Sequence, residues 1–183
     1  MKTFTLVPVG GLANRYYAIS SAISFCQDNS ISLKVFWFKD RGMGADFHSL
    51  FNLNSTLDNV KVIDATWKDY IYDCPRRRNL WLPSIFQYFA FQKRLFYAKF
   101  TLSELQQSVE LFNSVYLVHC HSFYRIDPLF NYIFPNKGIQ QLISDRICKF
   151  KNRRVIGLHI RRTDNLDSIK YSPLSLFEDK IRE

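Results

Sequence analysis

The chain has 183 residues, of which 47% are hydrophobic and 22% charged, enough apolar material for a real core and too much for a disordered chain. No apolar run approaches the roughly 20 residues that a membrane-spanning helix needs. Met1–Gly11 reads as a first strand rather than a signal peptide, so a cytoplasmic location is the default, with the inner face of the membrane as its variant. The formal net charge of +9 attracts polyanions, anionic membrane surfaces or phosphorylated small molecules, and by itself does not choose among them.

In chain order, Thr3–Gly11 predicts a strand ending in a Gly-Gly turn. A helix is expected from near Asn14, a good N-cap, with Tyr17, Ala18, Ser21, Ala22 and Phe25 on one face. Ile31–Phe38 is a second strand, so the chain opens strand–helix–strand, the start of a parallel α/β sheet. Lys39–Asp46 is a Gly-containing loop and Val60–Asp64 a short third strand. Thr66–Ser84 looks irregular and contains the basic cluster Pro75–Arg78, read as a solvated loop with contact to acidic headgroups as the lesser alternative. Ile85–Phe100 is expected as an aromatic-rich helix whose rings pack in the core. Helix continues through Ser103–Phe112, with Ser103 as a candidate cap. Ser114–His121 is a further strand, and Asn136–Phe150 an amphipathic helix with Ile139, Leu142, Ile143 and Ile147 on one side. Val155–Ile160 predicts a strand apolar on both faces, as in parallel sheets. A last helix is expected from Ser172 as cap and Pro173 as first residue, with Leu174, Phe177 and Ile181 as its stripe.

The four cysteines, Cys26, Cys74, Cys120 and Cys148, form no CxxC pair and read as reduced thiols. His119-Cys120-His121 lacks a second ligand pair, so it is read as a strand end and no metal is expected.

Two stretches carry chemistry. In Gly10-Gly11-Leu12-Ala13-Asn14-Arg15, the glycines permit a sharp strand-to-helix turn and a close ligand approach to the main chain. The helix N-terminus adds free amides and a partial positive charge. No third glycine completes a dinucleotide fingerprint. Arg15 sits where the helix dipole disfavours a cation, so a carboxylate partner, a domain contact or an anionic ligand is expected for it. The second stretch is His159-Ile160-Arg161-Arg162-Thr163-Asp164. Ligands of open α/β sheets bind outside the carboxyl ends of strands, and arginine binds phosphate through two parallel hydrogen bonds. Arg161 and Arg162 are therefore read as a diphosphate site, with Thr163 as a hydroxyl donor and Asp164 orienting an arginine.

Together the two motifs resemble those of the fucosyltransferase superfamily that includes the α1,2- and α1,6-fucosyltransferases, the nodulation enzymes and the protein O-fucosyltransferases. Gly10–Arg15 is similar to its N-terminal Gly-Gly-Leu-Gly-Asn-Gln/Arg pattern, with Ala13 in place of a glycine. His159–Asp164 is similar to its His-x-Arg-Arg-x-Asp motif. The resemblance covers two short islands and leaves most of residues 30–150 unmatched.

It implies a Rossmann-like parallel sheet with flanking helices, the N-terminal half of a GT-B glycosyltransferase. Residues 1–150 would form the acceptor-side domain and 151–183 the first βα unit of a nucleotide-sugar domain. The implied reaction transfers fucose from GDP-fucose, or a sugar from a related nucleotide sugar, to a glycan hydroxyl with inversion and without a required cofactor or metal. Arg161 would hold the donor's β-phosphate, aided by Arg162, with His159 shaping the pocket; Gly10, Gly11, Asn14 and Arg15 would line the acceptor side. Asp40, Asp46 and Asp164 are the candidate general bases. The second domain is expected to be incomplete, which makes catalysis by these 183 residues alone doubtful and self-association through that unit an expectation. The rival reading is a non-catalytic basic α/β module that binds phosphorylated ligands or anionic surfaces. Nucleic-acid binding is not expected, because no helix-turn-helix, zinc-finger or RNP signature is present.

Overall fold

A computed structural model describes residues 2–40, 43–73, 81–96, 99–126, 132–151, 153–157, 170–171 and 173–182. The chain divides into two compact units, Met1–Gln140 and Gln141–Glu183.

The first unit is α/β and Rossmann-like. Its strands are β1 (Thr3–Pro8), β2 (Ser32–Trp37), β4 (Val60–Asp64), β5 (Lys93–Phe96) and β6 (Ser114–His119), joined in a sheet of order β4-β2-β1-β6-β5. Every pairing in it is parallel. Helix α1 (Leu12–Asp28) crosses from β1 to β2, and α4 (Leu102–Leu111) from β5 to β6. A short helix α2 (Phe47–Leu50) leads into β3 (Phe51–Leu53), which pairs antiparallel with β7 (Ile133–Pro135) as a separate ribbon.

Both sheet faces are buried because side chains alternate along each strand. Phe4, Leu6, Val35, Trp37 and Leu117 meet Ala18, Ile19, Ala22, Phe25 and Leu105 on the α1/α4 face. Val7, Phe36, Phe38 and Tyr116 turn to the other, where Tyr72 and Phe91 pack. Helix α1 lies close to the sheet because its buried face uses small residues. The hydroxyls of Ser20 and Ser24 donate to the carbonyls of Tyr16 and Ser20, at 2.8 and 3.3 Å, so they enter the core satisfied.

Three expectations change. The predicted helix over residues 85–100 is instead α3 (Trp81–Ala90) followed by β5. Aromatic residues serve pleated surfaces as well as helices, and pairing with β6 buries Leu95 in the core. Helix α4 is capped two residues earlier than Ser103, by Thr101, whose hydroxyl accepts from the Glu104 amide at 3.2 Å. And the described rings of α3 stay out of the core: Phe86, Tyr88 and Phe89 are exposed, as is Ile85. The inward anchor of the helix is Gln87, which donates to the Tyr72 carbonyl and to the Tyr116 hydroxyl, the latter itself donating to buried Asp73.

Helix α5 (Lys137–Phe150) crosses the division between the units and buries no residue, leaving Leu142, Ile143 and Ile147 exposed. In the second unit, Val155–Gly157 carry no strand and are exposed; a strand holds only where a neighbour takes its hydrogen bonds. Helix α6 (Leu174–Arg182) follows; Ser172, its expected cap, lies outside the described residues. Among the described residues, no helix is long and apolar enough to cross a membrane.

Candidate functional site

The strand order reverses beside β1: β2 and β4 lie to one side of it, β6 and β5 to the other. The Gly10–Arg15 turn follows β1 at its carboxyl end, where ligands of open α/β sheets bind.

The turn is made by Gly10, whose φ of +92° falls in the left-handed region that only glycine enters freely. The helix then starts at Leu12, two residues before the expected cap, with extended Gly11 (φ −71°, ψ 174°) as the N-cap. Glycine offers no side-chain acceptor there, so no side chain of the cap covers the first-turn amides. Asn14 folds back over Gly10: a Cβ at residue 10 would lie 3.0 Å from Asn14 Nδ2 and 3.2 Å from its Cβ. At Gly11 a Cβ would meet nothing within 4 Å. Gly10→Ala is therefore expected to cost about 1–3 kcal/mol, from backbone strain plus contact, and Gly11→Ala under about 0.5 kcal/mol. Urea unfolding of the two variants side by side measures the difference.

Arg15 is wholly buried, at 0% exposure. Its Nε donates to the Gly10 carbonyl at 2.8 Å, one terminal nitrogen to the Phe38 carbonyl at 2.5 Å, and the other to Asp40 Oδ2 at 2.7 Å. Its guanidinium carbon lies 4.9 Å from the centroid of the Trp37 ring. One planar fork thus ties the end of β1 to the end of β2. Of the three roles open to this arginine in the sequence, the carboxylate partner is present. Asp40 further closes the loop after β2 by exchanging two backbone hydrogen bonds with Met43, at 2.9 and 3.0 Å. Of the candidate bases, Asp40 is thus engaged by Arg15, while Asp46 pairs with exposed Lys39 at 2.9 Å and Asp164 lies outside the described residues.

A residue that the sequence reading passed over as a strand end stands beside the turn. His119 closes β6, and its carbonyl accepts from the Val9 amide at 2.9 Å. Its ring is 8% exposed and lies 5.4 Å from both the Phe100 and Phe123 rings and 6.4 Å from that of His121. Burial, followed by repulsion from His121, lowers its pKa to about 4. The unfolded chain, with an ordinary value near 6.5, binds the proton first as pH falls. The neutral ring's contribution is thus complete above about pH 6.5 and lost on the way down to about pH 4, a difference of at most about 3 kcal/mol. His119→Gln should flatten the acid side of the stability profile measured by urea unfolding from pH 7 to 4.5.

Gly10, Gly11, Asn14 and Arg15 are thus brought together at one strand end, three of them accessible and Arg15 enclosed. His159, Arg161, Arg162, Thr163 and Asp164 lie outside the described residues, as does Cys74; Cys26, Cys120 and Cys148 are free thiols. Among the described residues, no three His, Cys, Asp or Glu side chains gather as metal ligands do. Comparison with protein-family models, with curated proteins and with solved structures gave no match to this chain in any of the three.

Proposed function

We propose that this chain carries the N-terminal, acceptor-side domain of a GT-B glycosyltransferase that moves a sugar, fucose from GDP-fucose in the first instance, to a glycan hydroxyl with inversion. The observation that supports it most is the placement of the Gly10-Gly11 turn. It lies at the carboxyl end of the middle strand, beside the reversal of strand order, and the buried Arg15 fork holds it there. A ligand-facing turn needs such a fixed frame, because main-chain groups recognise a substrate only when they are held in one geometry.

The chemistry falls to the arginine pair. As the acceptor oxygen forms its bond to the anomeric carbon, the sugar–phosphate bond breaks and its electron pair passes to the β-phosphate. Arg161, with Arg162 beside it in sequence, stabilises that charge as it develops. His159, Thr163 and Asp164 complete the pocket, and the acceptor's proton leaves to a base or to water.

Calorimetric titration with GDP-fucose, GDP and guanosine tests the reading. Binding that needs the diphosphate and survives 200 mM salt supports it. Salt-sensitive binding indifferent to the nucleotide, matched by heparin, would favour the non-catalytic module instead.

A further inference from the structure

The sheet face away from α1 changes character along its strands. Side chains at alternate positions of a strand share a face. Towards the carboxyl ends this face is apolar, with Val7, Phe36, Phe38 and Tyr116 packed together. Towards the amino ends it carries Thr3 and Thr5 of β1, Lys34 of β2, Lys61 of β4 and Ser114 of β6, side by side in register. A parallel sheet covered on both faces is ordinarily apolar throughout. Here an open cavity of about 360 Å³ lies over the polar half. Thr3, Thr5 and Lys34 line it from the sheet, and Phe36, Tyr72 and Phe91 give it an aromatic wall. The Phe36 and Tyr72 rings stack with centroids 5.5 Å apart, and the Phe91 ring stands edge-on to Tyr72 at 6.3 Å.

The positive charge of this cavity has no local counterweight. The Lys34 ammonium lies 4.6 Å from the Phe36 ring centroid. None of the described residues lining the cavity is acidic, and among the described residues Lys34 takes part in no ion pair. Its direct neighbour across the ladder to β4 is Lys61, and like charges so placed repel. The two carboxylates on the segment that supplies Tyr72 are committed elsewhere. Asp69 accepts from the Thr66 amide and hydroxyl at 2.8 and 2.9 Å, and Asp73 accepts from the Tyr116 hydroxyl. Of the hydroxyls here, that of Ser114 already donates to the Ala90 carbonyl at 3.1 Å. Thr3 and Thr5, the latter 2% exposed, can donate to a guest. A cation flanked by hydroxyl donors and facing stacked rings suits a molecule with a negative end and a flat apolar body. A bare phosphate would leave the rings unused, and a neutral arene the ammonium. The volume is at the small end of the range for ligand pockets.

We propose that this cavity binds a small aromatic carboxylate, its carboxylate between Lys34 and the Thr3 and Thr5 hydroxyls and its ring against Phe36, Tyr72 and Phe91. The inference stands apart from the sugar-transfer reading. The cavity lies at the amino ends of β1 and β6, whereas the Gly10–Arg15 turn follows the carboxyl end of β1.

Amide-resolved NMR titration with 2-naphthoate, 2-naphthamide and acetate tests it. Naphthoate should shift the amides of residues 3–5, 34–36 and 113–114 saturably, with a dissociation constant of about 1 mM for a ligand of this size. Naphthamide has the rings without the charge, and acetate the charge without the rings. Each should bind at least about tenfold more weakly. Lys34→Met should reduce naphthoate to the affinity of naphthamide, with a urea midpoint unchanged or raised because the repulsion from Lys61 is gone. Lys34→Arg, which keeps the charge, should bind naphthoate more tightly than Lys34→Met. Equal affinity of the wild type for naphthoate and naphthamide would overturn the proposal. So would naphthoate binding that survives Lys34→Met, shifts centred instead on the exposed rings of α3, or no saturable shift at about 10 mM, tenfold above the expected constant.

Discussion

Arg15→Ala is expected to destabilise the first unit by about 3–5 kcal/mol, the cost of removing one partner from a buried ion pair. The effect has three parts. Asp40 loses the cation 2.7 Å from its Oδ2, while its side chain remains 7% exposed and so is poorly reached by water. The Gly10 and Phe38 carbonyls lose donors at 2.8 and 2.5 Å, and unsatisfied buried acceptors are costly. The largest polar side chain in the core also leaves a void beneath Trp37. A domain stable by 5–15 kcal/mol in total keeps little margin after that. Arg15→Lys should recover only part of the loss, because one ammonium cannot reproduce a planar fork aimed at three acceptors. Urea unfolding monitored by far-UV circular dichroism reads both variants. A loss under about 1 kcal/mol for Arg15→Ala would mean the fork is dispensable to the turn.

The parts of the fold that were legible are those whose local pattern and tertiary fate agree. β1, β2 and β6 are apolar on both faces, which only a covered parallel sheet rewards, and their bounds match the predicted strands to within three residues. α1 was legible as a helix, though not its start: Asn14 has the chemistry of a cap, but the positive φ of Gly10 ends the turn sooner. β5 was hidden inside a stretch whose aromatic spacing also suits a helix. Only pairing with β6, some twenty residues further on, decides for strand, and a local window does not see that. The ribbon of β3 and β7 joins segments about 80 residues apart and has no local signal. In the site, the unease of Arg15 in the first helical turn was readable, and so was the list of partners it could have. Choosing Asp40 required knowing that β2 lies beside β1. His119 was visible only as a strand-end residue, because its environment comes from Phe100 and Phe123, neither of them adjacent to it in the chain.

The reading of function turns on Arg161. If the arginine pair grips a diphosphate, removing the guanidinium that meets the β-phosphate strips a charge-assisted, two-pronged contact. Losses from such contacts run to about 2–5 kcal/mol, which is about 30-fold or more in affinity. Arg162→Ala should cost less, since its partner retains the principal contact. Neither change should alter the stability of the first unit, whose core is built from residues before 140, and this separates lost binding from lost folding. Gly10→Ala and Arg15→Ala are useful contrasts, because they act on the turn through the fold rather than on the phosphate itself.

The deciding measurement is calorimetric titration of GDP into the wild-type chain and into Arg161→Ala at one fixed salt concentration, with the urea midpoint of both recorded. The account predicts saturable binding to the wild type and at least a 30-fold loss in the variant at an unchanged midpoint. Equal GDP affinity in the two proteins, or no GDP binding by a folded wild-type chain, would contradict it.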